Sequence, residues 1–206
     1  MRSIESGAAW DSGNVREVGG SSGLDELLGP QRVLPLVEAE DVEAAVHLAR
    51  VLVDHGLPVM EIALRTDAAL PAIETVRAAV PEAVVGAGTV LAVADLTRAI
   101  VAGAAFAVSP GATPALLAAA ETGAVPFVPG IATASELMRV TEAGFREVKC
   151  FPASAMGGPD GIASLASVAP MVRTMPTGGI DAGSAVAYLR VPGSSPSRGV
   201  GCVPAN

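Results

Sequence analysis

Lysine is almost absent from this chain of 206 residues: of its 13 basic side chains only Lys149 is a lysine, and the rest are arginines. A surface solubilised by arginines and carboxylates has no need of that one ammonium group, so its setting carries information. Aromatic residues make up 3% of the chain against 50% hydrophobic residues, which excludes an interior of stacked rings and leaves Ala, Val, Leu and Ile to fill it. Such side chains suit the buried strands and close helix-strand packing of an α/β protein. Two cysteines, Cys150 and Cys202, are too few for a disulfide framework and fit reduced thiols in the cytoplasm. No apolar run is long enough to span a bilayer, and the N-terminus lacks the basic-then-apolar order of a signal peptide. A net charge of -8 with no basic cluster argues against nucleic acid or an anionic membrane as partner.

What is present is a regular alternation. Residues 1–23 mix Gly, Ser and charge without periodicity and are expected to be disordered. A short helix over Leu24–Leu28 leads into apolar runs at Val33–Val37, Val59–Leu64, Ala83–Ala87, Ala105–Val108, Val125–Val128, Glu147–Phe151 and Val172–Pro176. Between them lie helical patterns at Val42–Asp54, Ala68–Val80, Ala94–Ala102, Pro114–Glu121, Ala134–Glu142, Gly161–Val168 and Ala182–Leu189. Gly56, Gly103, Gly123 and Gly144 stand where helix ends are expected; Asp67, Thr113, Thr133 and Asp181 stand where side chains would cap helix starts. Seven βα units in series within 24–190 predict a parallel sheet with right-handed crossovers. A TIM-type (β/α)8 barrel is the expected architecture; an open doubly wound sheet is the alternative, though no Gly-x-Gly-x-x-Gly follows the first strand.

The chemistry-bearing residues fall at strand ends. Lys149 sits in the apolar run Glu147-Val148-Lys149-Cys150-Phe151, which Pro152 terminates. A desolvated amine is the nucleophile that forms Schiff bases with ketones, and arginine cannot replace it because its guanidinium stays protonated. A solvated lysine at a strand end is the bland alternative. Glu61, Ala63 and Arg65 share one face of the second strand, so both charges enter the barrel together, either as a buried ion pair or as a site. In the second case Arg65 holds a substrate carboxylate in its fork, and Glu61, deeper, shuttles protons. Gly86-Ala87-Gly88-Thr89, Ser109-Pro110-Gly111 and Pro176-Thr177-Gly178-Gly179 are turns on the same rim, the last placed where barrels cradle phosphate with backbone amides. Phe151 faces the same way as Lys149 and Cys150 the opposite way. His47 and His55 fall on a helix, and no cluster of His, Cys and carboxylates suggests a metal.

Six stretches in order carry a resemblance: Met60-Glu61-Ile62-Ala63-Leu64-Arg65-Thr66, Val85-Gly86-Ala87-Gly88-Thr89-Val90, Ser109-Pro110-Gly111, Val128-Pro129-Gly130-Ile131-Ala132-Thr133, Val148-Lys149-Cys150-Phe151-Pro152-Ala153 and Pro176-Thr177-Gly178-Gly179-Ile180. From about Val33 to Leu189 the chain resembles the bacterial 2-keto-3-deoxy-6-phosphogluconate (KDPG) and 4-hydroxy-2-oxoglutarate (KHG) aldolases. That resemblance implies a trimeric class I aldolase with no cofactor and a small 2-keto acid as substrate. It assigns Lys149 to the Schiff base and Glu61 to general acid/base work. Arg65 and Thr89 then bind the pyruvate carboxylate and Gly178 and Gly179 bind phosphate. Pro110, Phe151 and Thr177, by their place on the same rim, are the further substrate-lining candidates. Where the family has Phe or Tyr after the lysine, this chain has Cys150.

After Leu189 the pattern departs from the family's eighth strand and its Gly-Gly-Ser-Trp turn. The prolines and serines of residues 191–206 argue against a central strand there and leave the first and seventh strands with bare edges. With four-fold Ser and Arg codons, the same stretch read one base out of frame from Gly193 gives an apolar strand followed by residue sets containing Gly, Ser and Trp. The expectation is a frameshift near Pro192, checked by the nucleotide sequence. Two readings stand beside the enzyme: an inactive barrel remnant, and a metabolite-binding barrel in which Lys149 is structural.

Overall fold

The computed structural model describes residues 23–191 and the backbone of 201–204. The expectation for the N-terminal 22 residues, and that for residues 192–200, lie outside the described residues.

Short helix α1 (Leu24–Leu28) precedes β1 (Val33–Val37), α2 (Val42–Asp54), β2 (Val59–Ala63), α3 (Ala69–Ala79), β3 (Val84–Gly88), α4 (Val93–Val101) and β4 (Ala107–Val108). Next come α5 (Pro114–Glu121), β5 (Phe127–Val128), β6 (Gly130–Ile131), α6 (Ala134–Glu142), β7 (Glu147–Cys150), α7 (Gly158–Ala166), β8 (Arg173–Pro176), α8 (Ala185–Tyr188) and β9 (Gly201–Pro204). All ladders are parallel, in the orders β5-β4-β3-β2-β1-β9 and β6-β7-β8. Only Pro129 separates β5 from β6, and proline cannot donate to a ladder, so one bent strand links the two sheets. The result is a barrel-like ring whose ends, β8 and β9, share no ladder among the described residues. The expected bare edge of β1 is corrected: β9 pairs along it from Val33↔Gly201 to Leu36↔Pro204. Pro204 lies on a strand at the edge of its sheet among the described residues, where a missing N–H is tolerated.

Strand alternation makes two cores. Outward residues such as Met60, Ile62, Val85, Val148 and Cys150 pack with the inner faces of the helices. Inward residues Leu34, Val59, Phe106, Val108, Val128 and Met175 fill the lower barrel together with Leu24 and Leu28 of α1. At the helix starts Thr113 accepts from Leu116 N, and Thr133 forms a reciprocal capping box with Glu136. Asp67 is a correction: α3 starts from Ala68 with no side-chain cap. Asp181 accepts from Ser184 N at 2.8 Å, tightening the turn before α8, although Ser184 is the cap residue.

Helix α1 plugs the N-terminal mouth of the barrel. Its first amides, from Leu24 and Asp25, donate to the Glu147 carboxylate at 2.9 and 3.2 Å, and Arg173 Nη2 donates to the same carboxylate at 2.9 Å. Asp25 closes the cluster by pairing with the Arg173 guanidinium. A residue distant in sequence thus satisfies helix N–H groups that would otherwise be orphaned under an apolar plug. Glu147→Ala should lower stability by about 2 kcal/mol, read as a lower urea midpoint with an unchanged m-value.

Candidate active site

The inward positions of β2 and β7 bring two ionisable groups together inside this apolar ring. On β2, Met60 and Ile62 face the helices, which sends Glu61 inward, and its side chain is 0% exposed. On β7, Val148 and Cys150 face outward and Lys149 inward, with its side chain 5% exposed. Lys149 Nζ donates to Glu61 Oε1 at 3.3 Å. The same nitrogen stands 5.7 Å from the centroid of the Phe151 ring, within cation–π range. A buried ion pair is a weak source of stability, because desolvating both charges offsets most of their attraction. Its presence therefore calls for a reason other than stability.

The turns after β4 and β8 converge on this pair. Gly130 is the ladder partner of Lys149, and a Cβ on it would lie 2.1 Å from the Pro110 carbonyl carbon, so the Ser109-Pro110-Gly111 turn packs against the strand beside the amine. Ser109 Oγ donates to the Gly111 carbonyl and holds that turn. Thr177 is buried; its amide donates to Cys150 O at 2.9 Å and its carbonyl accepts from Ala153 N at 2.7 Å. Beyond it Gly178 and Gly179, at φ 95° and 70°, adopt the left-handed backbone that only glycine takes without strain. A Cβ on Gly178 would come 3.1 Å from the Phe151 ring, and one on Gly179 would come 2.1 Å from Ser154 Oγ. Lys149, Glu61, Phe151, Pro110, Thr177, Gly178 and Gly179 are thereby brought to one end of the barrel.

Arg65 and Thr89 belong to the rim above the buried pair. Arg65 follows the end of β2 and is ion-paired at 3.4 Å with Glu38, the two side chains being 44% and 53% exposed. Thr89 follows β3 with φ 56°, a conformation that costs a non-glycine residue about 1–2 kcal/mol and that clusters at functional sites. Two side chains at this end were not singled out by the sequence: Glu38, one residue beyond β1, and Ser154, in the loop after the lysine. The signal for both was position: Glu38 directly follows β1, and Ser154 lies in the loop that leaves the C-terminal end of β7.

Cys150 behaves as packing. Burial pushes its thiol up to about 12 from an ordinary 9.0. The thiol stays protonated in the fold while an unfolded one ionises above about pH 9, so stability should fall by about 1.4 kcal/mol per pH unit between those values. Native protein should resist alkylation at Cys150 at neutral pH and react once denatured, as peptide mass spectrometry would read. His47 and His55 are exposed, with His55 Nδ1 2.7 Å from Val51 O at the end of α2. Among the described residues no group of three or more His, Cys, Asp and Glu could hold a metal ion, and no helix is long and apolar enough to cross a membrane.

Proteins of known family are similar to this chain in sequence and fold. The family model for KDPG and KHG aldolase matches residues 24–206, beyond Leu189 where the motif pattern departs. The KHG/KDPG aldolase of Escherichia coli strain K12 is 44% identical over 165 residues, 80% of this chain and 78% of that protein. A KDPG aldolase from Legionella pneumophila, solved with pyruvate captured as a covalent carbinolamine intermediate, superposes with TM-score 0.82 at 35% identity, over 88% of this chain and 86% of that one. The 2-keto-3-deoxy-6-phosphogluconate aldolase of Zymomonas mobilis ZM4, solved with 3-phosphoglycerate, gives TM-score 0.81 at 41% identity, over 89% and 87% of the two chains. With a matching family model across most of its length and an amine-carboxyl pair sealed in the barrel, this chain belongs to the KDPG and KHG aldolase family.

Proposed function

We propose that this chain is a class I aldolase that cleaves 2-keto-3-deoxy-6-phosphogluconate to pyruvate and glyceraldehyde 3-phosphate, or 4-hydroxy-2-oxoglutarate to pyruvate and glyoxylate. The observation that carries the reading is the buried contact of 3.3 Å between the only lysine of the chain and Glu61. An amine must be uncharged to attack a carbonyl, and Glu61 is the proton acceptor within reach. Lys149 Nζ adds to the C2 ketone, and Glu61 relays protons as the carbinolamine loses water to give the iminium. Glu61 then takes the C4 hydroxyl proton. The C3–C4 bond breaks, its electrons pass into the iminium to form an enamine, and the aldehyde departs. Protonation at C3 and hydrolysis release pyruvate and restore the free amine.

In this reading Arg65 exchanges Glu38 for the substrate carboxylate, and Thr89 donates to the same group. Pro110, Phe151 and Thr177 wall the ketoacid, and the amides of Gly178 and Gly179 receive the phosphate. The exposed Arg65–Glu38 pair is worth little, so exchanging it costs little. A homotrimer in the cytoplasm goes with this reading, and light scattering checks the assembly. The direct test is pyruvate release coupled to lactate dehydrogenase, with each substrate offered in turn. Release from either supports the proposal, and folded protein that releases pyruvate from neither sinks it.

A further inference from the structure

The carboxyl of Glu61 is fully buried, so something must leave room for it. A Cβ built on Gly88 would lie 2.0 Å from Glu61 Oε1 and 2.6 Å from its Cδ and Cγ, far inside any contact distance. Gly88 ends β3 as the ladder partner of Ala63, and its carbonyl accepts from Leu64 N at 2.9 Å, which fixes its backbone against β2. The alternative space is already taken. Gly86, the inward position before Gly88 and the ladder partner of Glu61, is covered by the Phe106 ring, 2.2 Å from where its own Cβ would stand. With Phe106 on one side and Lys149 Nζ in front at 3.3 Å, the carboxyl fits only where residue 88 has no side chain. We infer that Gly88 is a positioning residue: its missing side chain is the slot that aims Glu61 at the Lys149 amine. The inference rests on the aldolase reading for its catalytic consequence, and on packing alone for its structural one.

Two readouts separate those parts. The first is a stability cycle of Gly88→Ala, Glu61→Ala and the double variant, followed by thermal melting. Overpacking a sealed site should lower Tm by about 3–10 °C for Gly88→Ala in the native background, and by less than about 2 °C once Glu61→Ala has emptied the slot. Should Gly88→Ala fail to fold, the double variant should fold. Equal losses in both backgrounds, or a double variant that also fails to fold, overturns the slot. The second readout is turnover. Gly88→Ala should lower kcat by about 100-fold or more and leave KM within about threefold. A folded Gly88→Ala protein with kcat within about twofold of the original contradicts a positioning role. A wild-type protein that releases no pyruvate while the melting cycle still shows the coupling would remove the aldolase reading and leave the slot standing.

Discussion

Lys149→Arg is expected to reduce turnover by at least about 10⁴-fold while the protein still folds. The substitution keeps the positive charge opposite Glu61 and keeps a cation near the Phe151 ring, so the buried pair is preserved in electrostatic terms. What it removes is the capacity to lose a proton, since a guanidinium stays charged at any pH the fold survives. A larger head group in a sealed site costs about 1–3 kcal/mol of packing, which circular dichroism and a urea titration separate from lost chemistry. Turnover retained in Lys149→Arg would mean that the amine is structural.

Glu61→Gln is the second large effect, and it acts on a different step. The amide has nearly the volume of the carboxyl and still accepts a hydrogen bond from Lys149 Nζ, but it cannot carry protons. A fall in kcat of about 10²–10⁴-fold is expected, with KM changed far less, because no substrate contact is lost. Stability should also fall, by about 3 kcal/mol, because an amine buried to 5% exposure loses the carboxylate it is paired with. Combining the variants should cost little beyond Lys149→Arg alone, since both act in one proton-transfer unit. Additive losses would place Glu61 outside that unit.

The core of the site was legible because strand alternation is a strict rule of period two. Placing Lys149 and Glu61 inward and Cys150 outward needed only the strand boundaries, and the burial of each agrees; Phe151, half-buried just past β7, keeps its ring 5.7 Å from the amine. Helix positions followed the apolar period, and Thr113 and Thr133 cap as their residue types suggest. Asp67 does not, because the turn after β2 delays α3 until Ala69. Contacts between strands distant in sequence left no local trace. Nothing near Gly88 reveals that it faces the Glu61 carboxyl, and nothing near Glu147 reveals that it receives the amides of Leu24 and Asp25. The bend at Pro129 was visible as a proline, but its effect, splitting one strand between two sheets, depends on neighbours the sequence does not specify.

The presence of a single lysine makes the decisive measurement simple. Incubation with pyruvate and borohydride should reduce the imine to a stable secondary amine, so the intact protein should gain one carboxyethyl group. Peptide mapping should place that group on Lys149, and Lys149→Arg protein should gain none. Folded wild-type protein that gains no mass, or gains it only at its terminal amine, would contradict an imine-forming Lys149 and with it the proposed reaction.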